Sequence, residues 1–225
     1  MAFRIATSVS RCYSGIAAAC MPSWFANAGA DEIQVDHYTG TESGERVDIW
    51  LDNLMTRCRN MQDQVRQAVR NRNHLLLLDA DCVVLKPLRG GFADDKPFSV
   101  AFWPSFNMGA VWLNCSLDWP FVEFYDELVG RALDRCRELK QKRDLNAAGD
   151  QDIMWEMLWA REECVHKLDH WEWNFRCSPR TSDERIRTHK DAIRILHLRM
   201  KSFGFNIDHP RLQFYRDTFP GAFAR

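Results

Sequence analysis

The sequence predicts an α/β protein built on a mostly parallel central sheet flanked by helices, and three observations carry that prediction. Strand-like and helix-like segments alternate along the chain. Residues 47–69 place Val47, Trp50, Leu51, Leu54, Cys58, Met61, Val65, Ala68 and Val69 at three- and four-residue steps, the spacing of one face of a long helix. Directly after it, Leu75-Leu76-Leu77-Leu78 is an apolar run too short and too continuous for an amphipathic element, which fits a strand covered on both faces.

Taken in order, residues 3–10 mix apolar and small side chains and end in Ser8-Val9-Ser10, a first buried strand running into a polar loop. Residues 15–28 are Ala-rich with Pro22 near the middle, which predicts a helix interrupted or started at that proline. Residues 33–38 read as the second strand, and 39–46, with two glycines, as a loop. The polar face of the 47–69 helix carries Arg57, Arg59, Arg66 and Arg70, read as a solvated surface, with a phosphate or acceptor contact as the minor alternative. Residues 82–85 extend the apolar stretch of the third strand until Lys86-Pro87 ends it. Two further strands are expected at 99–103 and 110–113, separated by a loop over 104–109. A long helix follows from about Trp119, with Asp118 as N-cap and Pro120 in the first turn. After a charged connection, a helix beyond Gly149 carries Ile153, Met154, Met157 and Leu158 on one side. Short strands at 164–168 and 193–198 flank an irregular stretch in which 181–190 is polar enough for a loop. No repeat, low-complexity tract or linker divides residues 1–225, so one domain is expected.

Composition narrows the function. A formal net charge of −1 argues against a protein that binds nucleic acid through bulk electrostatics. The 9 Trp and 14 Phe fill cores and can line sugar pockets. Cys12, Cys20, Cys58, Cys82, Cys115, Cys136, Cys164 and Cys177 contain no CxxC pair and read as reduced, buried residues. With no segment resembling a signal peptide or a transmembrane anchor, a cytoplasmic setting is expected, although a trimmed chain would look the same.

The apolar strand delivers Asp79 and Asp81, which would project side by side if extended geometry persisted through them. Two adjacent carboxylates at the end of a buried strand repel each other unless something positive lies between them. A divalent cation answers that need, and oxygen ligands suit Mg2+ or Mn2+ with positions left for substrate phosphates. The carboxyl end of a strand in an open α/β sheet is also where ligands bind.

The segment Leu75-Leu76-Leu77-Leu78-Asp79-Ala80-Asp81-Cys82-Val83-Val84-Leu85-Lys86-Pro87-Leu88 resembles the DxD region of GT-A fold glycosyltransferases, especially glycosyltransferase family 8. Four later segments fall in the order that family shows. Asn107-Met108-Gly109 resembles its N-x-G stretch, Asp150-Gln151-Asp152 its DQD, Trp173-Asn174-Phe175 its W-N-F/Y element, and His197 the late histidine of its metal site. The resemblance implies a GT-A type, Rossmann-like domain. It implies Mn2+ or Mg2+ held by Asp79, Asp81 and His197, and donor-sugar contacts from Asn107, Gly109 and Asn174 through a turn at the N-x-G stretch. Asp150, Gln151 and Asp152 would act at the anomeric centre. Thr7, Ser8, Tyr13, Ala80 and Lys201 would face the nucleotide and diphosphate. The chain departs from the family after His197, where Lys201 comes early and the Pro and Trp that normally follow the lysine are missing.

Each of these residues has a plainer reading. Asn107 and Gly109 can form a tight turn, Asp150 can be an N-cap, Asn174 can satisfy buried backbone groups, and His197 can be a core histidine. The implied reaction is sugar transfer from a nucleoside diphosphate sugar, UDP-sugars favoured, to a glycan or other acceptor hydroxyl, with retention. Two alternatives stay open: a haloacid dehalogenase-type phosphatase with Asp79 as nucleophile, and a catalytically silent nucleotide-sugar-binding module. Cys164, His166 and His170 also lie close enough in sequence to suggest a zinc site.

Overall fold

In a computed structural model of the chain, residues 1–38, 46–102, 106–142, 150–177, 181–204, 206 and 208–223 are described, apart from the side chains of 12, 46–50, 140, 142, 150, 151, 201 and 202. The large sheet contains β1 (Phe3–Ser10), β2 (Glu32–Tyr38), β3 (His74–Leu78), β5 (Phe98–Phe102), β6 (Phe106–Asn114) and β7 (Val165–Asp169) in the order β2-β1-β3-β6-β5-β7. Five strands run one way and β6 alone runs against them. The sheet is thus mostly parallel, as the alternation of strands and helices predicts. A small sheet, β4-β9-β8, is made of β4 (Cys82–Val84), β9 (Ile195–His197) and β8 (Phe175–Arg176).

The burial of β3 on both faces explains its leucines. Leu75 and Leu77 pack with side chains of α2 (Arg46–Arg70), α3 (Phe121–Lys142) and α4 (Asp150–Trp159), while Leu76 and Leu78 pack with Trp24 of α1 (Ser14–Asn27) and with Cys82 and Val84. Val83 faces the other way, into a third cluster with Trp171 of α5 (His170–Trp173) and with side chains of α6 (Asp183–His189) and α7 (Pro210–Thr218). The small sheet is therefore sandwiched, and its position over the end of β3 fixes the site.

Helix α1 also completes the free edge of β4. Trp24 Nε1 donates to Cys82 O (2.7 Å), Asn27 Nδ2 donates to Val84 O (2.8 Å), and Ser23 Oγ accepts from Val84 N (2.9 Å). These bonds, with buried Ile16, Ala17, Cys20 and Trp24, offset the backbone bond that Pro22 removes, so the helix runs through the proline without a break.

Other expectations are corrected. Residues 82–85 do not prolong β3, because a turn intervenes and β4 joins the second sheet. β6 begins at Phe106, so Asn107 and Gly109 lie on a strand and not in a loop; a register shift between Val100 and Ala101 accommodates the longer strand. α3 starts at Phe121, because Trp119 N–H to Leu117 O and Phe121 N–H to Trp119 O turn the chain through the segment where Asp118 was expected to cap it. Residues 181–190 contain α6, capped by Ser182 Oγ accepting from Arg185 N (3.2 Å). Among the described residues no helix is long and apolar enough to cross a membrane.

Candidate active site

Strand geometry ends at Leu78, and the two aspartates do not project from an extended strand as the sequence suggests. Asp79 N donates to Gly109 O (2.8 Å) and Cys82 N donates to Asp79 O (3.1 Å), a tight turn between the two sheets. This turn directs both carboxylates at His197. Its Nε2 lies 3.6 Å from Asp79 Oδ2 and 3.4 Å from Asp81 Oδ1. Asp81 is fixed twice more by the segment after β9, accepting from Leu198 N at its carbonyl (2.9 Å) and from Met200 N at Oδ2 (2.9 Å).

Asn107 and Gly109, two apart on β6, share a face. Asn107 Oδ1 accepts from Gly109 N (3.2 Å) and Asn107 Nδ2 donates to Asn174 O (3.2 Å). The His197 imidazole packs against Gly109: a β-carbon there would fall well under 3.0 Å from Nδ1 and Cε1 and 3.3 Å from Asn174 Nδ2. Only glycine admits the ring. Asp79, Asp81, Asn107, Gly109, Asn174 and His197 are thus brought into one contiguous cluster, buried except for partial exposure of Asp79.

Burial acts to raise the Asp81 pKa, but the charge of His197, its hydrogen bond, and the Met200 and Asp81 N–H groups outweigh it, so the carboxyl lies below its ordinary value. Arg57 of α2 bonds the other Asp79 oxygen, Oδ1, rather than standing in solvent. Two carboxylates and an imidazole suit a divalent cation of the Mn2+ or Mg2+ kind. Among the described residues, Asp81, Cys82 and His197 bring potential ligand atoms within 4.8 Å of one another; Asp79, with one oxygen on Arg57, is not in that group. Cys82 is a poor ligand. Its thiol sits 3.7 Å from Gly109 O, and burial pushes its pKa well up, so it stays a neutral donor.

The remaining predicted residues are placed less closely. Thr7 and Ser8 alternate along β1 and so point to opposite faces of the sheet. Tyr13 and Ala80 share an apolar cluster with Val9 and Ala17. Asp152 is exposed on the first turn of α4, whereas the side chains of Asp150, Gln151 and Lys201 lie outside the described residues. The zinc suggestion fails among the described residues, since His166 is exposed, His170 is buried, and neither joins a potential ligand group. Cys164 is half-exposed rather than buried, and no disulfide joins any of the seven described cysteines. Arg57, which the sequence reading left on a solvated face with a phosphate or acceptor contact as the minor alternative, and Arg176, in register with His197 and not singled out by sequence reasoning, are charged neighbours of the site. No periodicity distinguishes them from surface arginines.

The overall fold is shared with solved glycosyltransferase structures. No family model and no curated protein matches the chain. Among solved structures, a glycosyltransferase involved in the glycosylation of the major capsid of PBCV-1 aligns with a TM-score of 0.59 at 13% identity over 97% of this chain and 99% of that one. Mouse xyloside xylosyltransferase 1 aligns with 0.54 at 12% over 89% and 98%. The glycosyltransferase GlyE of Streptococcus pneumoniae TIGR4 aligns with 0.57 at 14% over 96% of this chain and 59% of its own.

Proposed function

We propose that this chain is a metal-dependent GT-A glycosyltransferase, similar to family 8, that moves a sugar from a nucleoside diphosphate sugar to an acceptor hydroxyl. UDP-sugars are the favoured donors, a glycan or other hydroxyl compound is the acceptor, and configuration is retained. The observation that carries the reading is the convergence of Asp79, Asp81 and His197, from two distant parts of the chain, against a glycine that makes room for the imidazole. The convergence sits at the carboxyl end of β3, where α/β sheets bind ligands. The fold shared with glycosyltransferases supports the same reading.

On this account Asp79, Asp81 and His197 hold Mn2+ or Mg2+. When bound, the ion supplies Lewis-acid stabilisation of the leaving diphosphate. The Met200 N–H and the Leu198 N–H keep Asp81 in place, and the Gly109 surface keeps the His197 ring in its orientation. Asn174 Oδ1 is buried with no partner among the described residues, which leaves it available to a donor-sugar hydroxyl. Asp150, Gln151 and Asp152 orient the sugar and stabilise the positive charge that grows at its anomeric carbon.

A thermal-shift panel of nucleotide sugars and nucleoside diphosphates, with and without Mn2+, tests the proposal. Stabilisation by a nucleoside diphosphate that depends on Mn2+ is expected. Aryl phosphate hydrolysis without response to any nucleotide sugar would place the phosphatase reading first, although Asp79 is already engaged by Arg57 and His197. Stabilisation without consumption of any donor would favour the silent binding module.

A further inference from the structure

Helix α4 carries a row of aromatic rings at the same edge of the large sheet as the cluster. Asp152, Trp155 and Trp159 follow one another at steps of three and four residues, so they share one face of the helix. Trp155 and Trp159 stack with ring centroids 5.6 Å apart and planes 20° apart, and Trp159 stacks in turn on Phe102 at 6.4 Å and 20°. Phe106 is buried and meets Phe102 and Trp159 edge-on, at 5.3 and 6.0 Å. Trp155 and Phe102 are half-buried, whereas Trp159 is 45% exposed. The stack is therefore held in place from the sheet side and open to solvent at one ring.

Its position ties it to the cluster. Phe102 is the last residue of β5 and is in register with Asp169, the last of β7, and both strands run parallel to β3. The rings thus lie at the carboxyl edge that also delivers Asp79 and Asp81. β5 stands two strands from β3 in the sheet order, a separation of about 10 Å. Phe106 directly precedes Asn107 on β6 and points to the opposite face, so stack and cluster meet across this edge of the sheet.

Charge decides what such a surface receives. Lys167 Nζ lies over the Phe102 and Trp159 rings, 4.6 and 5.8 Å from their centroids, and pairs with Glu162. Asp152, Glu156 and Asp169 are exposed around the same rings and outnumber that one cation, so the rim disfavours an anionic ligand. Hydroxyls suit it, because carboxylates accept from them and the ammonium donates to them. The negative faces of the rings attract the polarised C–H groups along one face of a pyranose, as they already attract the Lys167 ammonium. The flexible stem of Lys167 lets the ammonium yield the ring face while it stays paired with Glu162.

We propose that Trp155, Trp159 and Phe102 form a stacking platform for a neutral sugar unit of a carbohydrate acceptor, remote from the hydroxyl that receives the transferred sugar. This rests on the reading of the neighbouring cluster as a donor site. Rigid aromatic rings give up little conformational freedom on binding, so the platform contributes affinity and sets which acceptor is held at the cluster.

A glycan array of neutral and sialylated oligosaccharides, probed with the full chain in Mn2+ and followed by calorimetry with the free oligosaccharide bound best, tests the platform. Binding to at least one neutral glycan is expected, weaker by about tenfold in Trp159→Ala, the effect of losing one aromatic stacking contact. Trp159→Phe keeps a ring against Phe102 and Phe106, so a smaller loss of affinity at an unchanged melting temperature separates lost binding from lost folding. Phe25→Ala removes an exposed aromatic on α1 and should leave glycan affinity unchanged. No neutral glycan bound, a preference for sialylated glycans, or equal affinity in the unmodified protein and Trp159→Ala overturns the platform. Donor consumption by the unmodified protein together with glycan binding indifferent to Trp159 would refute the platform and leave the transferase reading standing. Glycan binding that falls in Trp159→Ala, with no donor ever consumed by the unmodified protein, would do the reverse.

Discussion

Replacing Gly109 with alanine should disable the site while leaving the fold largely intact. Gly109 lies inside β6 with no positive φ, so alanine is acceptable to the backbone and would elsewhere be neutral or slightly stabilising. The obstacle is the His197 ring. A β-carbon under 3.0 Å from Nδ1 and Cε1, against the 3.4–4 Å of ordinary contact, requires the imidazole to retreat by about 1 Å. Retreat is resisted, because His197 is 5% exposed and its strand is paired on both sides. Overpacking of this kind costs about 1–3 kcal/mol, which for a chain of this size lowers the melting temperature by roughly 2–12 °C. A displacement of about 1 Å in a metal-ligating or substrate-positioning group costs on the order of 100-fold in turnover. The assay is donor consumption in Mn2+ beside a thermal melt, with Mn2+ affinity measured by calorimetry. If Gly109→Ala bound Mn2+ and consumed donor as well as the unmodified protein, the packing of His197 on Gly109 would have no functional weight.

Three further predictions test the same cluster. Asp79→Asn and Asp81→Asn should each abolish the Mn2+-dependent thermal shift, and Asp81→Asn should also lower stability, because a neutral amide oxygen accepts from Met200 N more weakly than a carboxylate does; retention of the shift in either variant would remove that residue from the proposed metal site. Arg57→Gln should tighten Mn2+ binding in the absence of nucleotide by up to about fivefold, since the guanidinium competes with a cation for Asp79 Oδ1; weaker Mn2+ binding would show that Arg57 supports the site instead. The Asp81 carboxyl has a folded pKa below its unfolded value of about 4, so its contribution to stability is fully present above that pH and is lost as pH falls through the lower folded value. The difference in melting temperature between the unmodified protein and Asp81→Asn should therefore shrink below about pH 4, and a difference independent of pH would contradict the assigned charge state.

What the sequence disclosed follows the range of the interactions. The four leucines of β3 and the periodic apolar residues of α2 are local patterns, and both elements form where those patterns lie. The ordered company of Asn107, Gly109, Asn174 and His197 was legible through resemblance alone, since nothing local to Leu196-His197-Leu198 distinguishes a site histidine from one in a core. The reason for Gly109 was not legible. A glycine in an N-x-G stretch suggests a turn, whereas here it lies in a strand and the constraint comes from a ring 88 positions away in the chain. Likewise, Arg57 shares the polar face of α2 with Arg59, Arg66 and Arg70, and only the turn at Asp79 selects it as a partner. Helix α6 escaped because Ile186 is its single buried residue, so it has no apolar stripe for periodicity to find. The left-handed backbone of Arg199, at φ 51°, leaves no trace in residue order, because such positions are normally announced by Gly or Asn.

The central claim, that this site activates a nucleoside diphosphate sugar, is tested most directly by following release of nucleoside diphosphate from a panel of nucleotide sugars by mass spectrometry, in Mn2+ and in EDTA, with Asp79→Asn in parallel. Release from at least one donor that requires Mn2+ and disappears in the variant is the predicted result. Release that is indifferent to both EDTA and Asp79→Asn, or no release from any donor under conditions in which the protein binds Mn2+ and nucleoside diphosphate, would contradict it.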